Sequence, residues 1–219
     1  MKIRAVLFDF IGTTVLEKGD IINKAFEDAF HLAGVQFDAE MLNQNRGKDK
    51  HEIIDLMVGH HHRAKATLSE KIYHDFHTNI ENSLSGFSLN AGVLEILRYL
   101  KAKNIKTGLG SALTRNLFEK IFNRLPWHRD SFHYIGIAHE VGRNRPHPDM
   151  IFDMMKAVHI HNAEEFLKVG DTTTDVLEGK NAKVKTAAIL SGTQPEELLR
   201  SACPDFILNK LEELVDVIS

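Results

Sequence analysis

The stretch Val6-Leu7-Phe8-Asp9-Phe10-Ile11-Gly12-Thr13-Thr14 decides how this chain is read. Ala5 to Phe8 is short, apolar and near the start of the sequence, the pattern of a parallel strand buried on both faces. Strands of that kind deliver the residues at their C-terminal ends to the ligand crevice of an open α/β sheet. Asp9 stands at such an end, and Gly12 lets the chain turn close to a bound ligand. On this segment alone Asp9 has three roles open to it: nucleophile, metal ligand, or cap of the next element.

Working outward, Asp20 is placed to cap a helix whose apolar residues Ile21, Ile22, Ala25, Phe26, Ala29 and Phe30 follow helical spacing, and Gly34 ends it. Asp38 opens a short helix, Asp49 to Val58 reads as another, and an amphipathic stretch from Ala64 to Leu84 completes a helical block with no strand expected inside it. Gly86 to Ala91, rich in turn formers, is the return. From there helix and strand alternate. Strands are expected at Ile105 to Leu109, Phe132 to Ile137, Phe166 to Val169, Lys185 to Leu190 and Phe206 to Leu208. Helices are expected at Gly92 to Lys103, Arg115 to Arg124, Asp149 to Val158, Thr174 to Ala182, Pro195 to Ala202 and Lys210 to Val217. This alternation predicts an α/β fold, a Rossmann-like doubly wound parallel sheet covered by helices on both faces. A helical insertion of roughly seventy residues exceeds any ordinary loop and predicts a second lobe. The expected division is residues 1–15 and 89–219 for the core and 16–88 for the helical insertion.

Composition narrows the function classes. The 219 residues carry 43% hydrophobic and 26% charged side chains, ordinary for a globular chain that buries a sizeable core. A formal net charge of -3 with no long Lys/Arg block argues against nucleic acid as partner. The single cysteine, Cys203, allows no intrachain disulfide and fits a reducing compartment. The first strand, broken by Asp9, is too brief for a signal peptide or a membrane span, so the expected setting is the cytoplasm and no membrane contact is expected.

Four strand ends offer polar groups. Asp9 follows the first strand and Ser111 follows Ile105 to Leu109. Arg145-Pro146-His147-Pro148-Asp149 leads into a helix, and Gly170-Asp171-Thr172-Thr173-Thr174-Asp175 follows Phe166 to Val169. Carboxylates from separate strands meeting at one sheet edge suit a hard cation such as Mg²⁺, which prefers oxygen ligands. Ser111, just before a helix start, offers a hydroxyl and free N–H groups for a phosphoryl oxygen. Arg145 adds a fixed charge with planar donors. Together they make a phosphoryl-transfer site, in which positioning and charge neutralisation do most of the catalysis.

As a set, Asp9 with Gly12-Thr13, Ser111, Arg145 to Asp149, and Gly170-Asp171 with Asp175 resemble, in order, the four motifs of the haloacid dehalogenase superfamily. The resemblance implies an aspartate nucleophile at Asp9 and Mg²⁺ held by Asp9, the carbonyl of Ile11, and Asp171, with Asp175 supporting the metal through water. It implies that Ser111, Ala112, Ile11, Gly12 and Arg145 face the phosphoryl group, and that the inserted helices form a cap that closes over a small phosphorylated or phosphonate metabolite. Most phosphatases of the superfamily carry a second aspartate, a general acid/base, two residues after the nucleophile. Ile11 occupies that position here and has no proton to give. With Arg145 in place of the usual motif-three lysine, and with Gly12-Thr13-Thr14-Val15 and Glu178-Gly179-Lys180-Asn181-Ala182, the chain looks like the phosphonoacetaldehyde hydrolase (phosphonatase) branch.

In that branch a glycine of the cap is followed three residues later by a Schiff-base lysine, and Gly47 and Lys50 stand at that spacing. An iminium on a lysine amine draws electrons from the adjacent C–P bond, so the carbon leaves as an enamine without an acid. Loss of the acid at Ile11 and presence of Lys50 therefore make joint chemical sense. Departures are Ile11 for the branch's alanine, Ile53 for its histidine and Leu113 for its motif-two tyrosine. Lys48 competes with Lys50 if the register shifts. Members of the branch often dimerise through the cap, which makes a homodimer an expectation here. The rival readings are a phosphomonoesterase for activated leaving groups, a metal-independent 2-haloacid dehalogenase, and a non-catalytic phosphate-binding protein. His60-His61-His62 reads as solvated surface, since consecutive helical residues point apart.

Overall fold

The computed structural model describes residues 2–59 and 65–218; the His60-His61-His62 run lies outside the described residues. In chain order the elements are β1 (Ala5–Asp9), β2 (Val15–Glu17), α1 (Ile21–Leu32), α2 (Ala39–Gln44), α3 (Lys50–Val58), α4 (Lys65–Asn82), β3 (Phe87–Leu89) and α5 (Val93–Ala102). Then follow β4 (Lys106–Ser111), α6 (Arg115–Phe122), β5 (Tyr134–Ile137), α7 (Ala138–Val141), α8 (Asp149–Ala157), β6 (Phe166–Gly170), α9 (Thr173–Asn181), β7 (Lys185–Ile189), α10 (Glu196–Ser201), β8 (Phe206–Leu208) and α11 (Leu214–Ile218).

Six strands form one sheet in the order β5-β4-β1-β6-β7-β8, with every neighbouring pair parallel. The chain runs outward from β1 through β4 to β5, then returns to the other side of β1 at β6. This reversal makes the C-terminal end of β1 the switch point where an open α/β sheet places its ligand. Every residue of β1 is buried, and the two faces alternate: Val6 and Phe8 pack with α5, α6 and the inserted helices, whereas Ala5 and Leu7 pack with Met150, Ile151 and Met154 of α8. Helices on both faces explain why the strand reads as an unbroken apolar run. Phe10, directly after Asp9, is fully buried, with its ring 4.5 Å from that of Phe118 and 6.2 Å from that of Trp127. It anchors the loop that carries Asp9.

The inserted helices α1 to α4 pack on one another through Phe26, Ile53, Ile54, Ile72 and Phe76, with the Phe26 and Phe76 rings 4.4 Å apart. The block is bracketed by an antiparallel ribbon of β2 and β3, in which Val15 pairs with Leu89 and Glu17 with Phe87. The sequence showed no strand here, because three-residue strands are too short to display period-two alternation. The expected boundaries after residues 15 and 88 fall inside this ribbon. Asp20 is also corrected. It adopts a left-handed φ of 58° and its side chain caps no backbone N–H of α1; instead Glu17 Oε2 accepts from Ile22 N at 2.6 Å. Asp38 and Asp49 do cap their helices, accepting from Met41 N and from His51 N and Glu52 N. The C-terminal helix is split into a 3-10 turn at Leu211–Glu213 and the short α11. Among the described residues no helix is long and apolar enough to cross a membrane.

Phe118→Ala should destabilise the protein by about 3–5 kcal/mol, because it opens a cavity against Phe10. Urea denaturation of the two proteins measures this.

Candidate active site and metal centre

The loop after β1 is shaped by what lies behind it. Gly12 has φ +96°, and a Cβ there would stand 2.1 Å from Asp171 Oδ2, so no side chain fits. Gly192 shields the other flank, where a Cβ would stand 2.1 Å from Asp171 Cβ. The close approach made possible by Gly12 is therefore to Asp171, not only to a ligand. Asp171 is fixed by Thr13 Oγ1 donating at 2.9 Å, Thr193 Oγ1 at 2.6 Å and Thr193 N at 2.8 Å. Thr14 Oγ1 donates to the carbonyls of Asp9 and Phe10, each at 3.0 Å. At the start of α9, Thr172 and Asp175 form a reciprocal capping box.

A buried network of charges sits beneath Asp9. Arg145 Nη1 contacts Asp9 Oδ1, and also Asp175 Oδ1 at 3.1 Å, while its Nε lies 3.2 Å from Glu178 Oε2. Lys168 Nζ lies 2.9 Å from Asp175 Oδ1 and 3.2 Å from Glu178 Oε2. Asp9, Asp171 and Asp175 each offer an oxygen, all within 4.8 Å of one another. Among the described residues four carboxylates thus face two cations, leaving two negative charges uncompensated. The imbalance shows in the protonation equilibria. Burial, then the charges of Asp9 and Asp175, push Asp171 up to about 7, against the hydrogen bonds from Thr193. Burial and Asp175 likewise raise Asp9, against Arg145 and Lys168. Burial opposes ionisation of Asp175 too, but Lys168 and Arg145 overcome it and hold that carboxyl below its ordinary value. An all-oxygen donor set with a deficit of two charges fits a divalent cation.

Asp9, Ile11, Ser111, Ala112, Arg145 and Lys50 line a single cavity, so the structure brings these expected site residues together, with Asp171 and Asp175 clustered around Asp9. Ser111 is not the hydroxyl at the helix start; Thr114 caps α6, and Ser111 Oγ accepts from Leu113 N at 3.1 Å. Lys50 reaches the cavity from the first turn of α3, its ammonium donating to the carbonyl of Lys48 at 3.3 Å. Lys48 pairs with Glu52 at 3.8 Å and does not line the cavity. Burial pulls the Lys50 ammonium below its ordinary value, with Arg46 and Arg145 acting the same way and Asp9 and Asp49 opposing.

The sequence profile of the haloacid dehalogenase-like hydrolases matches residues 6–189. The chain belongs to this family. A phosphonoacetaldehyde hydrolase from Latilactobacillus sakei is 30% identical over 207 residues, covering 87% of this chain and 77% of its own length. Pyrophosphatase PpaX from Bacillus cereus is 27% identical over 221 residues, covering 100% and 98%. In fold, the crystal structure of a phosphonoacetaldehyde hydrolase-like protein from Oleispira antarctica superimposes with a TM-score of 0.83 at 20% identity, covering 100% of this chain and 92% of that one.

Within this haloacid dehalogenase-like site, Glu17, Lys168 and Thr193 were not expected from the sequence, and Glu178 was singled out only as part of a family-like run, not as a partner in the charge network. Lys168 had a signal, since a lysine inside the buried strand Phe166–Gly170 demands a carboxylate partner. Glu178 lies three residues after Asp175, on the same face of α9. Thr193 and Glu17 lie in irregular or very short segments and gave none. The inserted helices are tied to the site by two bonds: Thr174 Oγ1 donates to the carbonyl of Arg46 at 2.6 Å, and Gln194 Nε2 to that of Asn43 at 2.7 Å.

Lys168→Met should cost about 3–5 kcal/mol by leaving Asp175 and Glu178 short of a buried counter-charge. Chemical denaturation read against the wild-type chain checks it.

Proposed function

We propose that this haloacid dehalogenase-like hydrolase cleaves the C–P bond of a small phosphonate, or the P–O bond of a small phosphate ester, with Asp9 as nucleophile and Mg²⁺ as cofactor. The observation that carries the reading is that Asp9 and Lys50 face one cavity while Ile11 holds the place of the usual acid. The relative named phosphonoacetaldehyde hydrolase supports it. Residues 16–88 act as the cap over a core of residues 1–15 and 89–219.

Asp9, Ile11 through its carbonyl, and Asp171 would hold Mg²⁺, with Asp175 behind them. The bound cation supplies the positive charge that lets an anionic carboxylate approach an anionic phosphoryl group. Asp9 Oδ attacks phosphorus and forms an aspartyl-phosphate, which water then cleaves. Ser111, Ala112 and the backbone around Ile11 and Gly12 orient the phosphoryl oxygens. Arg145 fixes the Asp9 carboxylate from below, through the contact it already makes. Lys50 adds to the carbonyl carbon of the substrate, and the resulting iminium accepts the electron pair of the C–P bond.

A phosphomonoesterase for activated leaving groups is the second reading, supported by the pyrophosphatase relative matched over the whole chain. The two part at Lys50, which only C–P cleavage requires.

Asp9→Asn should abolish turnover of every substrate. Lys50→Ala should reduce phosphonoacetaldehyde cleavage to background while 4-nitrophenyl phosphate is still hydrolysed; equal loss on both removes the imine role. Chelation of Mg²⁺ should abolish binding of fluoroberyllate, a phosphoryl mimic, followed by fluorine NMR. Because burial lowers the Lys50 pKa, its amine is free at lower pH than in ordinary lysine. Borohydride trapping of its imine should therefore rise with pH and level off below 10.5.

A further inference from the structure

Ile11 removes the acid of the ester-cleaving relatives, yet the imine route still needs a proton. When an amine adds to an aldehyde, the first product is a carbinolamine, and its hydroxyl leaves only as water. Some group in the cavity must hand it a proton.

The residues lining the cavity leave few donors. Ile11, Ile22, Leu42 and Leu113 are apolar, and Gly47 and Ala112 carry no polar side chain. Ser111 Oγ accepts from Leu113 N, and an alcohol is too weak an acid to protonate a departing hydroxyl near neutral pH. The Thr193 hydroxyl already donates to Asp171, and that of Thr172 to Asp175. Asp9 and Arg145 are engaged with each other. Arg46 is spent on Asn43 and Asn23, to both of which it donates. Lys50 is the adding amine itself. Glu17 remains, at the end of β2, where the chain crosses into the inserted helices.

We propose that Glu17 is the general acid of this cavity, donating the proton with which the carbinolamine hydroxyl on Lys50 departs as water. This rests on the Lys50 reading above. Glu17 Oε2 is occupied by Ile22 N at 2.6 Å, whereas among the described residues Oε1 has no partner and is free to carry the proton. Among the described residues no ion pair joins Glu17 to Arg46 or Lys50. Burial raises its carboxyl above the ordinary value, with Asp20 adding to the effect and the Ile22 amide, Arg46 and Lys50 opposing it. A carboxylate kept only as a helix cap would need one oxygen and no place on the cavity wall.

The Lys50 Nζ lone pair forms the C–N bond, and the carbonyl π pair moves to oxygen, which takes up the proton released by nitrogen. The nitrogen lone pair then forms C=N as the C–O bond breaks, and the departing oxygen takes the Glu17 proton. Water leaves, and the Glu17 carboxylate stays beside the iminium charge.

Acetaldehyde with cyanoborohydride reports this half-reaction alone, as alkylation of Lys50 followed by mass spectrometry. Glu17→Gln keeps a carbonyl oxygen for Ile22 N and loses only the acidic proton. Trapping in the Glu17→Gln protein should slow by about 100-fold or more, with Mg²⁺-dependent fluoroberyllate binding unchanged and with Lys50→Ala as the blank. Trapping at the wild-type rate in Glu17→Gln would overturn the proposal. So would loss of fluoroberyllate binding in that variant, since Glu17 would then be needed for the architecture. Wild-type protein that binds fluoroberyllate but never alkylates Lys50 overturns the imine reading and this acid with it. If it alkylates Lys50 yet binds no fluoroberyllate, the phosphoryl reading fails, and Glu17 is judged on the trapping rates alone.

Discussion

Repulsion among Asp9, Asp171 and Asp175 is the constraint around which the rest of the molecule is arranged. Three carboxylates with oxygens within 4.8 Å of one another would not stay buried unaided. Arg145 and Lys168 neutralise part of the charge, but Glu178 joins the same network and takes up some of both cations. Asp171 has threonine hydroxyls and an amide for company and, among the described residues, no cation. That is a poor arrangement for stability and a good one for a divalent ion. Fixing the carboxylates before a cation arrives leaves little reorganisation to be done when it binds.

Such fixing needs stiff surroundings, and the fold provides them locally. The central strand is covered on both faces, and Phe10 is locked between Phe118 and Trp127. Two glycines at 12 and 192 let backbone press against Asp171 from opposite sides. The segment 193–194 then joins two tasks. Thr193 holds Asp171, and Gln194 accepts from Thr173 N while donating to the Asn43 carbonyl on the inserted helices. With Thr174 bonded to the Arg46 carbonyl, the loop before Lys50 is seated on the same turn that carries Asp171 and Asp175. Placement of Lys50 and placement of the carboxylates are thus parts of one hydrogen-bonded assembly.

Much of this was legible in the sequence because it rests on period and punctuation. The alternation of helix and strand, the apolar run before Asp9 and the caps at Asp38 and Asp49 all express local physics. What stayed hidden depends on contacts between distant residues. Asp20 has the composition of a cap, yet Glu17 reaches the helix end first and Asp20 turns into the left-handed region. The β2–β3 ribbon joins residues some seventy positions apart through strands too short to show a pattern. Arg145 was legible as a site residue from its motif, but its saturation by Asp9, Asp175 and Glu178 was not. That saturation turns Arg145 inward, holding the Asp9 carboxylate in place rather than reaching outward.

The chemistry of the cavity follows from the same division between below and above. Beneath Asp9, Arg145 and Lys168 are joined to Asp175 and Glu178 in buried ion pairs; above it the wall is a mixture of Ile11, Ile22 and Leu42 with Glu17, Arg46 and Lys50. Ile11 lines this wall with hydrocarbon, as do Ile22 and Leu42. Exclusion of water favours a neutral amine at Lys50 and a protonated carboxyl at Glu17. On the reading proposed above, these are the protonation states that imine formation requires. On the proposal made above, Ile11 goes with a cavity in which Lys50 and Glu17, rather than an acid beside Asp9, carry the proton traffic.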